Sequence, residues 1–181
     1  MKQHPALRLA AVALFTALTA VAAQFSVPVG PVPVSLATFA VYLAGGILGA
    51  SGGAASQALY VLLGAAGLPI FAGFHGGVST LFGPTGGYLI GYIACAGIVG
   101  ILSRKTGRKI SMLIVSMLLG TAVLYLVGTA WFIFLTKRSI WDSLLLCVFP
   151  FLPGDAAKIA VCAVLVPRLG RAFDRICAGA A

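Results

Sequence analysis

The chain has 181 residues, 61% of them hydrophobic and only 8% charged, with a net charge of +9. A soluble domain carries about 25% charged residues, so a mean hydropathy of +1.11 excludes a solvated globule and marks an all-α, polytopic membrane protein. The basic residues sit in short clusters between apolar runs, with no basic face interleaved with aromatics, which argues against a nucleic-acid partner.

A first helix is expected over 7–24. Its small residues Ala6, Ala10, Ala13 and Ala17 recur at spacings of three and four, which lets another helix approach closely. Packing inside the bundle and docking onto a separate membrane partner suit that stripe equally well. The basic lead-in from Lys2 and Arg8 mimics a signal peptide, but no convincing cleavage site follows, so the segment is kept as a span.

Phe25 to Pro33, with three prolines and a glycine, reads as a loop. A second helix is expected over 34–50, a tight turn at Ser51-Gly52-Gly53, and a third helix, short for a bilayer, over 54–66. The stretch from Gly67 to Gly87 is dense in glycine and broken by Pro69 and Pro84. Yet it keeps Phe71, Phe74 and Phe82 and carries no ionisable side chain except His75. Irregular, apolar backbone of this kind survives at membrane depth only when buried or lining a cavity. Further helices are expected over 87–103, 110–135 and 153–167. All six belong to a single domain.

Six spans put both termini on one side. Lys2, Arg8, Arg104, Lys105, Arg108, Lys109, Arg168, Arg171 and Arg175 then share that side, against Lys137 and Arg138 on the other. Basic residues favour the cytoplasm, so both termini are expected in the cytoplasm, with every unusual loop outside and a pocket opening outward.

The start of the sixth helix carries the chemistry. Asp155 is one of three acidic residues in the chain, and Lys158 runs straight into an apolar segment. The two are i and i+3, on one helix face, with Asp155 near the positive helix end. Such a pair is either a structural ion pair or a ligand site with an acceptor and a donor cluster one turn apart, able to take adjacent N–H and C=O groups or a carboxylate. His75 in the glycine loop, and Tyr60, Tyr88, Tyr92, Tyr125 and Trp131, are candidate pocket walls or ordinary packing residues. Cys95, Cys147, Cys162 and Cys177 form no C-x-x-C pair and read as buried hydrophobes, with no metal site. No G-x-x-x-x-G-K-[ST] occurs, there is no Glu, and no nucleophile–base set stands out. The chain is therefore expected not to be an enzyme and to need no cofactor. Energy for uphill transport must come from a partner or an ion gradient.

GLPIFAG, GPTGGYLIGY, Gly128-x-x-Trp131 and PFLPGDAAK follow one another in this order. Together they resemble the BioY family, the biotin-specific S components of energy-coupling factor (ECF) transporters. That resemblance implies a substrate-binding subunit in the bacterial cytoplasmic membrane, working with a transmembrane T component and two ABC ATPases. It implies that Ala13 and Ala17 face the T component. It also implies that Asp155 and Lys158 bind biotin, with Gly86, Tyr88, Phe74, His75 and Trp131 around the ligand. Asp155 matches the ureido N–H groups, whereas Lys158 meets either the ureido C=O or the valerate carboxylate. Two departures stand out. Ala37 occupies a position where the family often has a polar residue, and Phe74-His75 makes the loop after FAG bulkier. The alternative within the resemblance is an S component for another vitamin, such as thiamine or riboflavin; outside it stand an integral-membrane enzyme or a stand-alone carrier in which Asp155 relays protons, and a structural subunit that binds no small molecule.

Overall fold

The computed structural model describes residues 5–179; Lys2, one of the nine basic residues on the expected terminal side, lies outside them. The elements are α1 (Pro5–Gln24), β1 (Ser26–Val27), β2 (Val34–Ser35), α2 (Ala37–Ala65), a 3-10 turn (Ala72–Phe74), α3 (Val78–Leu81), α4 (Gly86–Lys105), α5 (Ile110–Thr136), α6 (Ile140–Cys147) and α7 (Leu152–Gly179). The described chain is all-helical apart from the antiparallel pair β1–β2, which closes the proline-rich loop. By length and apolar composition, α1, α2, α4 and α5 can each cross a membrane. The bent pair α6–α7 makes a fifth crossing if counted as one span.

α2 is where structure and expectation differ most. It runs through both expected helices, 34–50 and 54–66, and is interrupted at Gly49 (φ 79°, ψ −176°) rather than at Ser51-Gly52-Gly53. A Cβ on Gly53 would lie 2.8 Å from the Cα of Gly45. Residues eight apart in one straight helix are separated by about 12 Å, so the chain doubles back at Gly49. Only glycine takes that φ without strain. The carbonyls freed at the break are capped from outside. Arg104 donates to Leu48 (3.2 Å), and Arg108 donates to Gly46 and Ile47 (both 3.2 Å).

Glycines also let α2 and α4 touch. A Cβ on Gly45 would run into the Ala96 carbonyl, and one on Gly100 into the backbone of Gly49 and Ala50. Tyr42, Val99, Leu113, Met117, Leu124, Phe132 and Val166 fill the main core.

α6 was not expected. Ser139 caps it, its hydroxyl accepting from the Asp142 amide (3.1 Å) and donating to the Asp142 carboxylate (2.7 Å). The last helix does not stop near 167 but continues through Pro167 to Gly179. Proline removes one donor, a loss that neighbouring groups offset inside a helical bundle.

The proline-rich and glycine-rich loops gather at one end of the bundle, and Arg8, Arg104, Arg108 and Arg171 at the other. At the basic end Arg8 donates to Ser51, and Arg108 forms an ion pair with Asp174.

Candidate functional site: a buried ion pair under a proline-rich rim

Asp155 enters α7 as the fourth helical residue, its amide bonded to the Phe151 carbonyl (2.9 Å). Asp155 is 3% exposed and Lys158 8%. The Lys158 ammonium has three donors, and three acceptors take them: Asp155 Oδ1 (2.9 Å), Thr38 Oγ1 (2.9 Å) and the Ser35 carbonyl (2.6 Å). Asp155 Oδ1 also accepts from the Thr38 hydroxyl (3.1 Å), and Oδ2 accepts from Tyr125. The network draws on β2, α2, α5 and α7. A buried charge pair persists only when its remaining donors and lone pairs are satisfied in this way.

Two adjoining cavities lie over the pair. The inner one, about 30 Å³, is bounded by Asp155, Lys158, Thr38, Tyr125, Leu124 and Phe151. The outer one, about 510 Å³, is bounded by Gln24, Tyr60, Phe71, His75, Thr85 and the β1–β2 loop. Val32, Pro33, Ser35, Tyr88 and Tyr92 wall both, so the two chambers lie on either side of the same side chains. The inner chamber admits little more than one small polar group. The outer one has the size of a small-molecule pocket with mostly apolar walls and a few polar groups.

Of the residues singled out from the sequence, Asp155, Lys158, His75, Tyr60, Tyr88, Tyr92 and Tyr125 meet at these chambers. Tyr88 is held from behind, its hydroxyl donating to the Cys147 carbonyl (3.2 Å) and paired with Thr129 Oγ1 (3.1 Å). Phe74, Gly86 and Trp131 line neither chamber. Phe74 is 70% exposed at φ 59°. Gly86 packs under the Leu81 carbonyl. Trp131 donates to the Gly83 carbonyl (2.9 Å) and packs on Gly87, pinning the GPTGG loop to α5. Ala13 and Ala17 are exposed, on the same side of α1 as Leu9, Leu14, Leu18 and Val21, while Thr16 and Thr19 face inward.

Three groups escaped the sequence reading as site residues: Thr38, the Ser35 carbonyl and Gln24. Gln24 ends α1. Its amide donates to the Ile70 (3.0 Å) and Phe71 (3.3 Å) carbonyls, and its oxygen accepts from the Phe74 amide (3.0 Å), so it ties α1 to the glycine-rich loop. A lone glutamine at a helix end before a proline-rich loop was the available signal. Thr38 lies next to Ala37, the position where the family often has a polar residue.

Residues 1–175 match the family model described as the BioY family. The chain is 43% identical over 161 residues to a probable biotin transporter BioY of Pyrococcus horikoshii, covering 87% of this chain and 93% of that protein. It is 39% identical to the biotin transporter BioY of Thermotoga maritima, over 86% and 91% of the two chains. The crystal structure of the S-component for biotin from an ECF-type ABC transporter superposes with a TM-score of 0.84 at 29% identity, covering 91% of this chain and 90% of that one. The chain belongs to the BioY family.

Proposed function

We propose that this chain is the biotin-capturing S component of an ECF transporter, a binding subunit and not an enzyme. The observation that carries it is the closed Asp155–Lys158–Thr38 network beneath two adjoining cavities. A ureido group offers N–H donors to Asp155 and a C=O to Lys158. A ligand carboxylate placed there would lie against the Asp155 carboxylate and be repelled. The ureido end therefore belongs in the inner chamber, with the bicyclic body between Tyr88, Tyr92 and the β1–β2 loop. The valerate chain points toward Gln24 and His75 in the outer chamber. Biotin is cargo here, and no resident cofactor is needed.

We read six membrane spans: α1, residues 37–48, residues 50–65, α4, α5 and α7. Residues 37–48 extend about 18 Å, short of a hydrocarbon core of about 30 Å. The turn at Gly49 then sits below the headgroups, where arginine caps on its carbonyls have most effect. The basic end faces the cytoplasm by the distribution of Lys and Arg, both termini with it, and the cavity opens outward. The exposed face of α1 with Ala13 and Ala17 docks the T component, and two ATPases supply the energy that this chain has no P-loop to harvest.

Titrating the purified chain with biotin, thiamine and riboflavin, in the absence of nucleotide and partners, tests this reading. Heat of binding with biotin alone supports it. Binding of another vitamin in preference to biotin, or of none, refutes it.

A further inference from the structure

We infer that the cleft at the basic end, between the α4–α5 turn and the part of α7 beyond Pro167, binds the phosphate headgroup of an anionic phospholipid. The cleft has a volume of about 590 Å³, and Arg104, Arg108, Lys109 and Arg171 line it against a single carboxylate, Asp174. That carboxylate is already taken by Arg108, whose other donors go to the Gly46 and Ile47 carbonyls. Arg108 is thus a structural cap, and the charge left over is that of Arg104, Lys109 and Arg171. Arg171 gives only its Nε, to the Pro167 carbonyl (2.9 Å), and among the described residues the Lys109 side chain has no hydrogen-bond partner. Both side chains are exposed.

Spare cations around a cleft of this size call for a multivalent oxyanion, whose oxygens accept from Arg and Lys together. The surroundings favour a lipid source over a soluble one. Ile110 lines the cleft at 52% exposure, and Leu169 and Met112 next along α7 and α5 are 45% and 44% exposed. Apolar surface beside cations, at the end of a helical bundle, fits acyl chains below a phosphate. The inference rests on the membrane-spanning reading but not on the identity of the transported ligand.

The test is native mass spectrometry of the detergent-purified full chain with phosphatidylglycerol or phosphatidylcholine added. We expect phosphatidylglycerol to be retained in preference. The double variant Lys109→Gln/Arg171→Gln should lower that retention roughly thirtyfold. Lys137→Gln/Arg138→Gln at the opposite end should keep it. Biotin affinity measured on the same samples should not change between the variants, which separates failure of this site from failure of the capture function. Equal retention of the two lipids, or unchanged retention in Lys109→Gln/Arg171→Gln, overturns the proposal. So does displacement of phosphatidylglycerol by millimolar inorganic phosphate, which would make this a site for a soluble anion. Lost assembly with the ATPases at unchanged lipid retention would assign the cleft to protein contact and equally overturn it.

Discussion

Lys158 on α7 donates to the backbone carbonyl of Ser35, 2.6 Å away and 123 residues earlier in the chain. The charged floor of the cavity and its proline-rich rim are therefore parts of one network. Because all three ammonium donors are in use, a ligand C=O binds Lys158 by replacing one acceptor. Displacing the Ser35 carbonyl leaves both the ion pair and the Thr38 bond to Asp155 in place. Lys158→Met removes the latch and, without ligand, should speed amide hydrogen exchange across residues 25–36 roughly tenfold or more, since a charged hydrogen bond contributes about 1.5–3 kcal/mol. Unchanged exchange there would show that the rim is held by the β1–β2 pairing alone.

The ion pair also makes a stability prediction. Lys158→Met leaves the Asp155 carboxylate buried without a countercharge, held only by the Thr38 and Tyr125 hydroxyls, and should cost about 3–5 kcal/mol. Asp155→Asn/Lys158→Met removes both charges and should regain most of that while still failing to bind biotin. Thermal unfolding and ligand titration of the two variants check the two halves separately.

Gln24 should set how long the ligand stays. Gln24→Ala removes the bonds from the end of α1 to Ile70, Phe71 and Phe74. At about 1 kcal/mol per neutral hydrogen bond, the dissociation rate of biotin should rise by roughly five- to tenfold, with greater protease access to residues 70–75. Stopped-flow release and limited proteolysis measure both.

Gly128 supports the wall from outside the cavity. A Cβ there would run into the Tyr88 ring, so Gly128→Ala should push Tyr88 into the chambers it walls. Overpacking of this kind costs about 1–3 kcal/mol. Affinity should fall by roughly tenfold although residue 128 lines neither chamber, which a titration reads directly.

For partner docking, Ala13→Leu/Ala17→Leu should leave biotin binding by the isolated chain intact, because both residues are exposed and line neither chamber. It should abolish co-purification with the T component, whose close approach the small residues permit. Normal co-purification would move the docking surface elsewhere.

What the sequence disclosed follows from what is costly. Asp155 and Lys158 could be found because charge in an apolar segment demands compensation. The compensating partners could not. A threonine in a membrane helix usually bonds its own backbone, as Thr16 and Thr19 do, and nothing local marks Thr38 as different. The turn at Gly49 was hidden among Gly45, Gly46, Gly52 and Gly53, all of which serve close packing, and only φ separates them. Pro167 reads as a stop signal, yet the helix runs through it. Gly86 and Trp131 belong to the motifs that carry the resemblance, and Phe74 to a departure from them, but here all three shape the loop around the cavity and not its lining.

The ureido assignment is tested most directly by a double cycle: wild type and Lys158→Met, each titrated with biotin and with biotin methyl ester. If Lys158 takes the ureido C=O, the substitution weakens both ligands equally, by roughly a hundredfold. The loss from esterification is then the same in both proteins, as for independent sites. A Lys158→Met variant that binds biotin as wild type does, or in which esterification no longer matters, would contradict the account and place the carboxylate, or nothing, at Lys158.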